Sequence, residues 1–192
     1  FLKNIYIWTL KKAENKNAKW YLSLISFAES SFFPIPPDIL LIPMALASKT
    51  KALFYAFTCT LSSVLGGIFG YAIGYFFFNS VGLYIVEFYH LENSFNIFEN
   101  YYKEFGILIV LGAGITPFPY KFITIASGVF GLNIYLFVIV SIIGRGLRFY
   151  LIAILLYFFG EKIKLFIDKY FNILSITFFI LLVGSVFIIR FL

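Results

Sequence analysis

The sequence predicts an all-α polytopic membrane protein built on an inverted repeat. In each repeat unit a re-entrant helical hairpin leads into a transmembrane helix. An N-terminal amphipathic helix precedes the repeat, and a C-terminal transmembrane helix follows it. Three observations carry this expectation. First, 61% of the 192 residues are hydrophobic, 22% aromatic and only 12% charged, where a soluble domain is about 25% charged. Second, two apolar segments of similar length are interrupted by prolines. Third, each of these is followed by a long apolar run, the second interrupted by Arg145 and Arg148. The length suits one membrane domain, and mean hydropathy is +0.95.

Residues 1–20 mix Lys3, Lys11, Lys12, Lys16 and Lys19 with Ile5, Trp8 and Leu10. That pattern suits an amphipathic helix lying on a membrane surface, with a flexible basic tail as the alternative. The arm is too polar for a cleavable signal peptide. Residues 21–160 form the expected membrane domain.

Its first element is a re-entrant hairpin at 21–48, centred on "FAESSFFPIPPDILLIP" (27–43), with Pro34, Pro36, Pro37 and Pro43. "KTK" (49–51) is a turn. The first spanning helix is expected at 53–78, where "GGIFGYAIGYFFF" sets Gly66, Gly70 and Gly74 four apart on one face. Small residues at that spacing let helices approach closely in lipid.

The acidic stretch 79–104 reads as a loop with a short interfacial helix. It holds Glu87, Glu92, Glu99 and Glu104 against Lys103, and the single His90, expected to be solvated. A second hairpin follows at 105–133, broken at "ITPFPYKF" by Pro117 and Pro119, then a second spanning helix at 134–159. "GEKIKLFIDK" (160–169) is a polar connection, and 170–190 form the C-terminal transmembrane helix.

Each broken segment is about 29 residues, too short for two crossings of about 20 residues each. A proline inside a helix removes a hydrogen bond, and unsatisfied backbone in lipid costs several kcal/mol. A re-entrant hairpin satisfies both constraints; one kinked spanning helix per segment is the alternative. Setting Pro34 on Pro117 puts Pro36 on Pro119 and Asp38 on Lys121, and paired broken segments in two halves point to a transport site. Basic flanks place the N-terminus and "KTK" in the cytoplasm. The acidic loop then faces outward, and the hairpins enter from opposite sides.

Five ionisable residues fall inside apolar segments: Glu29, Asp38, Lys121, Arg145 and Arg148. Each costs about 2.5–3.5 kcal/mol at a helix centre, which implies pairing and a wet cavity. Equivalent places in the repeat predict that Asp38 and Lys121 approach each other and pair. Arg145 and Arg148, three apart, share a face and present planar forks suited to phosphate or carboxylate. Free N–H groups at broken helix ends also suit an anion. These residues are therefore candidates for proton coupling or for lining a substrate cavity, with structural ion pairs as the plainer alternative.

Cys59 is alone in an apolar run, so no disulfide or metal site is expected, and no cofactor. No nucleophile or metallohydrolase motif occurs, and paired membrane aspartates are lacking, so an enzyme is not expected. The net charge of +6 flanks apolar spans, which favours the membrane surface over nucleic acid.

"E-x4-P-x-P-P-D-x-x-L" (Glu29 to Leu41), the glycine-rich span, "TPFPYKFITIASGVFG" and "GRGLRFY" (144–150) resemble the DedA family. This is the bacterial branch of the VTT, or SNARE-associated Golgi protein, domain, and the resemblance is to its YqaA-like subgroup. It covers roughly 20–160. It implies an inner-membrane, multi-pass protein with two opposed re-entrant hairpins, acting in membrane homeostasis and lipid movement. Related eukaryotic proteins are scramblases. The acids of the first hairpin carry over to Glu29 and Asp38. The family's second hairpin has two arginines, where this chain has only Lys121.

The function expected is proton-coupled translocation of a phosphate-bearing lipid, either a phospholipid or a polyprenyl phosphate. Membrane lipids and protons are the partners, and a homodimer is compatible. The alternatives are a proton-coupled small-solute or drug exporter and a membrane assembly factor.

Overall fold

A computed structural model describes residues 17–33, 35–88, 90, 92–116, 118–160 and 162. The expected segment 1–20 lies almost wholly outside these residues. The expected helix 170–190, Pro34 and Pro117 lie outside them altogether. Among the described residues the fold is all helical, with seven α-helices and no strands. They are α1 (Ala18–Ser31), α2 (Asp38–Ala47), α3 (Ala52–Phe77), α4 (Leu83–Phe88), α5 (Glu92–Ile115), α6 (Tyr120–Val129) and α7 (Ile134–Gly160). A 3-10 turn, Lys49–Lys51, leads into α3, and a π-helical stretch, Phe78–Gly82, follows it. Lys49–Phe77 and Ile134–Gly160 are long and apolar enough to cross a membrane.

The two breaks fall at the prolines. After Ser31 the amides of Phe32 and Phe33 both donate to the Ala28 carbonyl, at 2.9 and 2.8 Å. The helix restarts behind Pro37, whose φ of −66° is already helical and whose missing N–H costs nothing at a helix start. The amides of Leu40 and Leu41 bond back to its carbonyl. In the second break α5 ends at Ile115, Pro119 is extended (ψ 102°), and α6 begins at Tyr120. Gly131, at φ +62°, then stops the chain with the Leu132 amide reaching back to Ser127, a closure that favours glycine. Asn133 caps α7 by accepting from the amides of Tyr135 and Leu136.

α3 is the hub, packed against α1, α2 and α6. The glycine face makes this possible. A side chain on Gly66 would strike the backbone of Phe27, one on Gly70 the hydroxyl of Thr124, and one on Gly74 the backbone of Ile125. Gly128 of α6 meets the Tyr71 backbone in return. Thus α1 covers one half of α3 and α6 the other.

Ala18 and Leu22 of α1 share a buried cluster with Leu41 and Met44 of α2, Ala56 of α3 and Leu156 of α7. Both arms of the first broken element therefore return to one end of α3. Val110 of α5, Tyr120 of α6 and Phe137 of α7 form a second cluster. Helix α7 runs antiparallel to α3, which brings Gly160 beside Leu46 and Lys49.

One expectation is corrected. The stretch 79–104 is largely helical rather than a loop, because α5 begins at Glu92 and runs 24 residues. Tyr102, Gly106, Val110 and Ala113 are its buried face, and that helical spacing continues through the polar residues. The second broken element is accordingly unequal, with a long first arm and a ten-residue second one. His90 is exposed, with φ 53°.

Candidate functional site

Four of the five charged candidates converge where the two breaks meet α7. Arg145 and Arg148 leave the same face of α7. That helix comes close to α5 because Gly144 lies against Gly114: a side chain on Gly114 would stand 3.1 Å from the Gly144 Cα.

Glu29, in the last turn of α1, accepts from Arg145 Nη2 at 2.6 Å. Arg145 Nε donates to Ser63 Oγ at 2.6 Å. The guanidinium lies between the rings of Tyr120 and Phe149, 4.9 and 4.7 Å from their centroids, so ring quadrupoles add to the attraction. Only 1% of the Arg145 side chain is exposed. Ser30 completes the shell, with its Oγ 2.6 Å from Ser63 Oγ and donating to Glu29 Oε2 at 3.2 Å. Two charges this deep are tolerated because nearly every polar atom has a partner.

The second pair is built differently. Asp38 opens α2, and Arg148 Nη2 donates to its Oδ2. Arg148 Nη1 donates to the Thr116 carbonyl at 2.7 Å. One guanidinium thus joins the end of the first break to the start of the second. Its side chain is 14% exposed and that of Asp38 18%. Asp38 Oδ1 is buried and accepts no hydrogen bond among the described residues.

The expected Asp38–Lys121 pair is therefore corrected: Asp38 pairs with Arg148. Lys121 makes no ion pair among the described residues, and its ammonium sits 5.4 Å from the Phe122 ring centroid. The reason is tertiary. Equivalent repeat positions put both residues beside a break, but α7 passes the break of the first element with a cation of its own. Of the expected hairpin-break residues, Pro37 is buried and starts α2, Pro36 is half-buried, and Pro119 is exposed and precedes α6.

Sequence reasoning missed the hydroxyl seam that carries this site. Ser23 Oγ lies 2.7 Å from Ser62 Oγ, Ser26 donates to the Cys59 carbonyl at 2.8 Å, and Ser31 donates to the Gly66 carbonyl at 2.9 Å. Thr124 of α6 donates to the Ser30 carbonyl at 2.9 Å, tying the end of α1 to the second broken element. The signal was present: Ser23, Ser26 and Ser30 recur at helical spacing within an apolar segment. Tyr120, whose hydroxyl meets Ser141 Oγ at 2.6 Å, was likewise missed as the platform beneath Arg145. Among the described residues no group of three His, Cys, Asp or Glu side chains is placed to hold a metal ion.

An uncharacterized protein of Haemophilus influenzae is 35% identical over 186 residues, covering 97% of this chain and 96% of its own length. An uncharacterized protein of Histophilus somni is 32% identical over 158 residues, 82% of each chain. No family model matches the chain, and no solved structure matches it significantly.

Proposed function

We propose a transport function for this chain, which belongs to the family of the two uncharacterized proteins from Haemophilus influenzae and Histophilus somni. The chain is a bacterial inner-membrane protein of DedA-like build, and it moves a phosphate-bearing lipid across the bilayer with coupling to protons. The observation that carries this reading is the Arg148 bridge. One of the two cations in a largely apolar helix is held by an acid beside one helix break and a carbonyl beside the other. Intramembrane charges are costly and mark transport pathways, and broken helices facing each other are how transporters build midplane sites.

The packing supports two re-entrant hairpins entering from opposite faces. Both arms of the first return to the end of α3 that carries Lys49–Lys51. The short arm of the second, α6, lies along the other half of α3. Gly160 beside Lys49 supports one cytoplasmic face for residue 17, "KTK" and the end of α7. In this reading Asp38 carries the proton and Arg148 receives the headgroup. Glu29 and Arg145 hold the frame.

The test is reconstitution of the full chain in liposomes with fluorescent phosphatidylglycerol, scored by quenching of outward-facing headgroups. The wild type is expected to flip the lipid, and Asp38→Asn to flip it at least about tenfold more slowly. Equal rates in the two proteins overturn the role of Asp38. Movement of a cationic dye under a pH gradient, without lipid flipping, replaces the lipid by a small solute.

A further inference from the structure

We propose that the Asp38–Arg148 pair is a releasable latch, in which one anionic phosphodiester replaces the Asp38 carboxylate on Arg148 while Asp38 takes up one proton. The inference rests on the transport reading above and specifies the ligand chemistry and stoichiometry of that site.

The two pairs joining the first broken element to α7 are unequal. Arg145 is enclosed by Glu29, Ser63 and two aromatic rings, and a ligand reaching it would have to dismantle all four. Among the described residues Arg148 has two partners, both at break ends, and both side chains of its ion pair are partly exposed. Asp38 engages it through Oδ2 alone, and Oδ1 bonds nothing among the described residues. A phosphodiester offers two anionic oxygens to a planar fork that binds such groups in parallel. It therefore replaces a single carboxylate oxygen and a neutral carbonyl with a better-matched acceptor.

Displacement leaves Asp38 among groups that cannot hold its charge. Glu29 on α1 is itself an acid, Cys59 on α3 is buried, and Arg145 on α7 is committed to Glu29. Lys121 and Tyr120 on α6 do not pair with it. A carboxylate in apolar surroundings without a cation takes a proton from water. The exchange balances: one negative charge and one proton enter together, so the site's net charge is unchanged. A headgroup can thus occupy the apolar interior without adding charge to it.

The test is calorimetry on the full chain in neutral detergent, using buffers of different ionisation heat. Two probes are used, dihexanoyl phosphatidylglycerol and dimethyl phosphate, neither of which titrates near neutrality. Binding is expected to take up about one proton per phosphodiester and to weaken about tenfold per pH unit on the alkaline side. Asp38→Asn is expected to bind with no proton uptake and no such slope. Arg148→Gln should weaken binding roughly tenfold or more. Binding of the tailed probe alone identifies a lipid headgroup as the source; binding of both supports the latch with a soluble phosphodiester as well.

Wild-type binding without proton uptake, unaltered uptake in Asp38→Asn, or undiminished binding in Arg148→Gln overturns the latch. The wild-type pH slope decides the matter if Asp38→Asn does not fold. Lipid flipping without proton-linked binding sinks the latch and leaves the transport reading standing. Proton-linked binding without flipping does the reverse.

Discussion

The Glu29–Arg145 and Asp38–Arg148 pairs join the same two parts of the molecule, three residues apart on α7, yet they are built to different standards. The first has a serine on its guanidinium, a second serine behind that, and a ring on each face. The second has a backbone carbonyl and a carboxylate oxygen left over. Identical chemistry therefore serves two ends. A fully satisfied charge pair fixes the position of the helix that bears it, whereas a half-satisfied one at a break stays available for exchange.

The largest expected effect comes from breaking the first pair. Glu29→Gln leaves Arg145 charged in a closed site, which costs about 3–5 kcal/mol. Thermal unfolding of the purified chain should show it as a large drop or as loss of folded protein. Next comes Gly66→Ala, whose added carbon meets the Phe27 backbone. It should push α1, and Glu29 with it, away from α3 at about 1–3 kcal/mol, while Asp38 on α2 is unaffected. Asp38→Asn should cost only about 1 kcal/mol; a penalty equal to that of Glu29→Gln would mean that the two pairs are one kind. The smallest effect belongs to the exposed Lys103–Glu99 pair, at 2.7 Å, where Lys103→Gln should change stability by about 0.3–0.5 kcal/mol. These values set a scale on which the second pair should fall nearer the surface pair than the buried one.

Several features could be read from residues alone because their causes are local. A proline removes an amide wherever it stands, so the breaks at 32–37 and 116–119 follow from Pro36, Pro37 and Pro119. Glycines four apart share a face of any helix, so the seam of α3 was visible too. The extent of α5 was hidden because its first turns are polar and aromatic, and only the spacing of Tyr102, Gly106, Val110 and Ala113 reveals a continuous helix. The partner of Asp38 was hidden for a different reason. Pairing depends on which helix passes which break, and Arg148 of α7 lies 110 residues beyond Asp38. Local pattern says that Arg145 and Arg148 share a face but not what that face meets.

That long reach has a consequence in time. Glu29 precedes its partner Arg145 by 116 residues. At about 5–20 residues per second of synthesis, the arginine is made roughly 6–23 s after the acid. Once Gly66 has been made the serines can pack α1 onto α3, but the carboxyl group still has no cation to face. The last described helix is thus the one that completes the first, and a ribosome that stops before residue 145 leaves an acid stranded at the centre of the molecule.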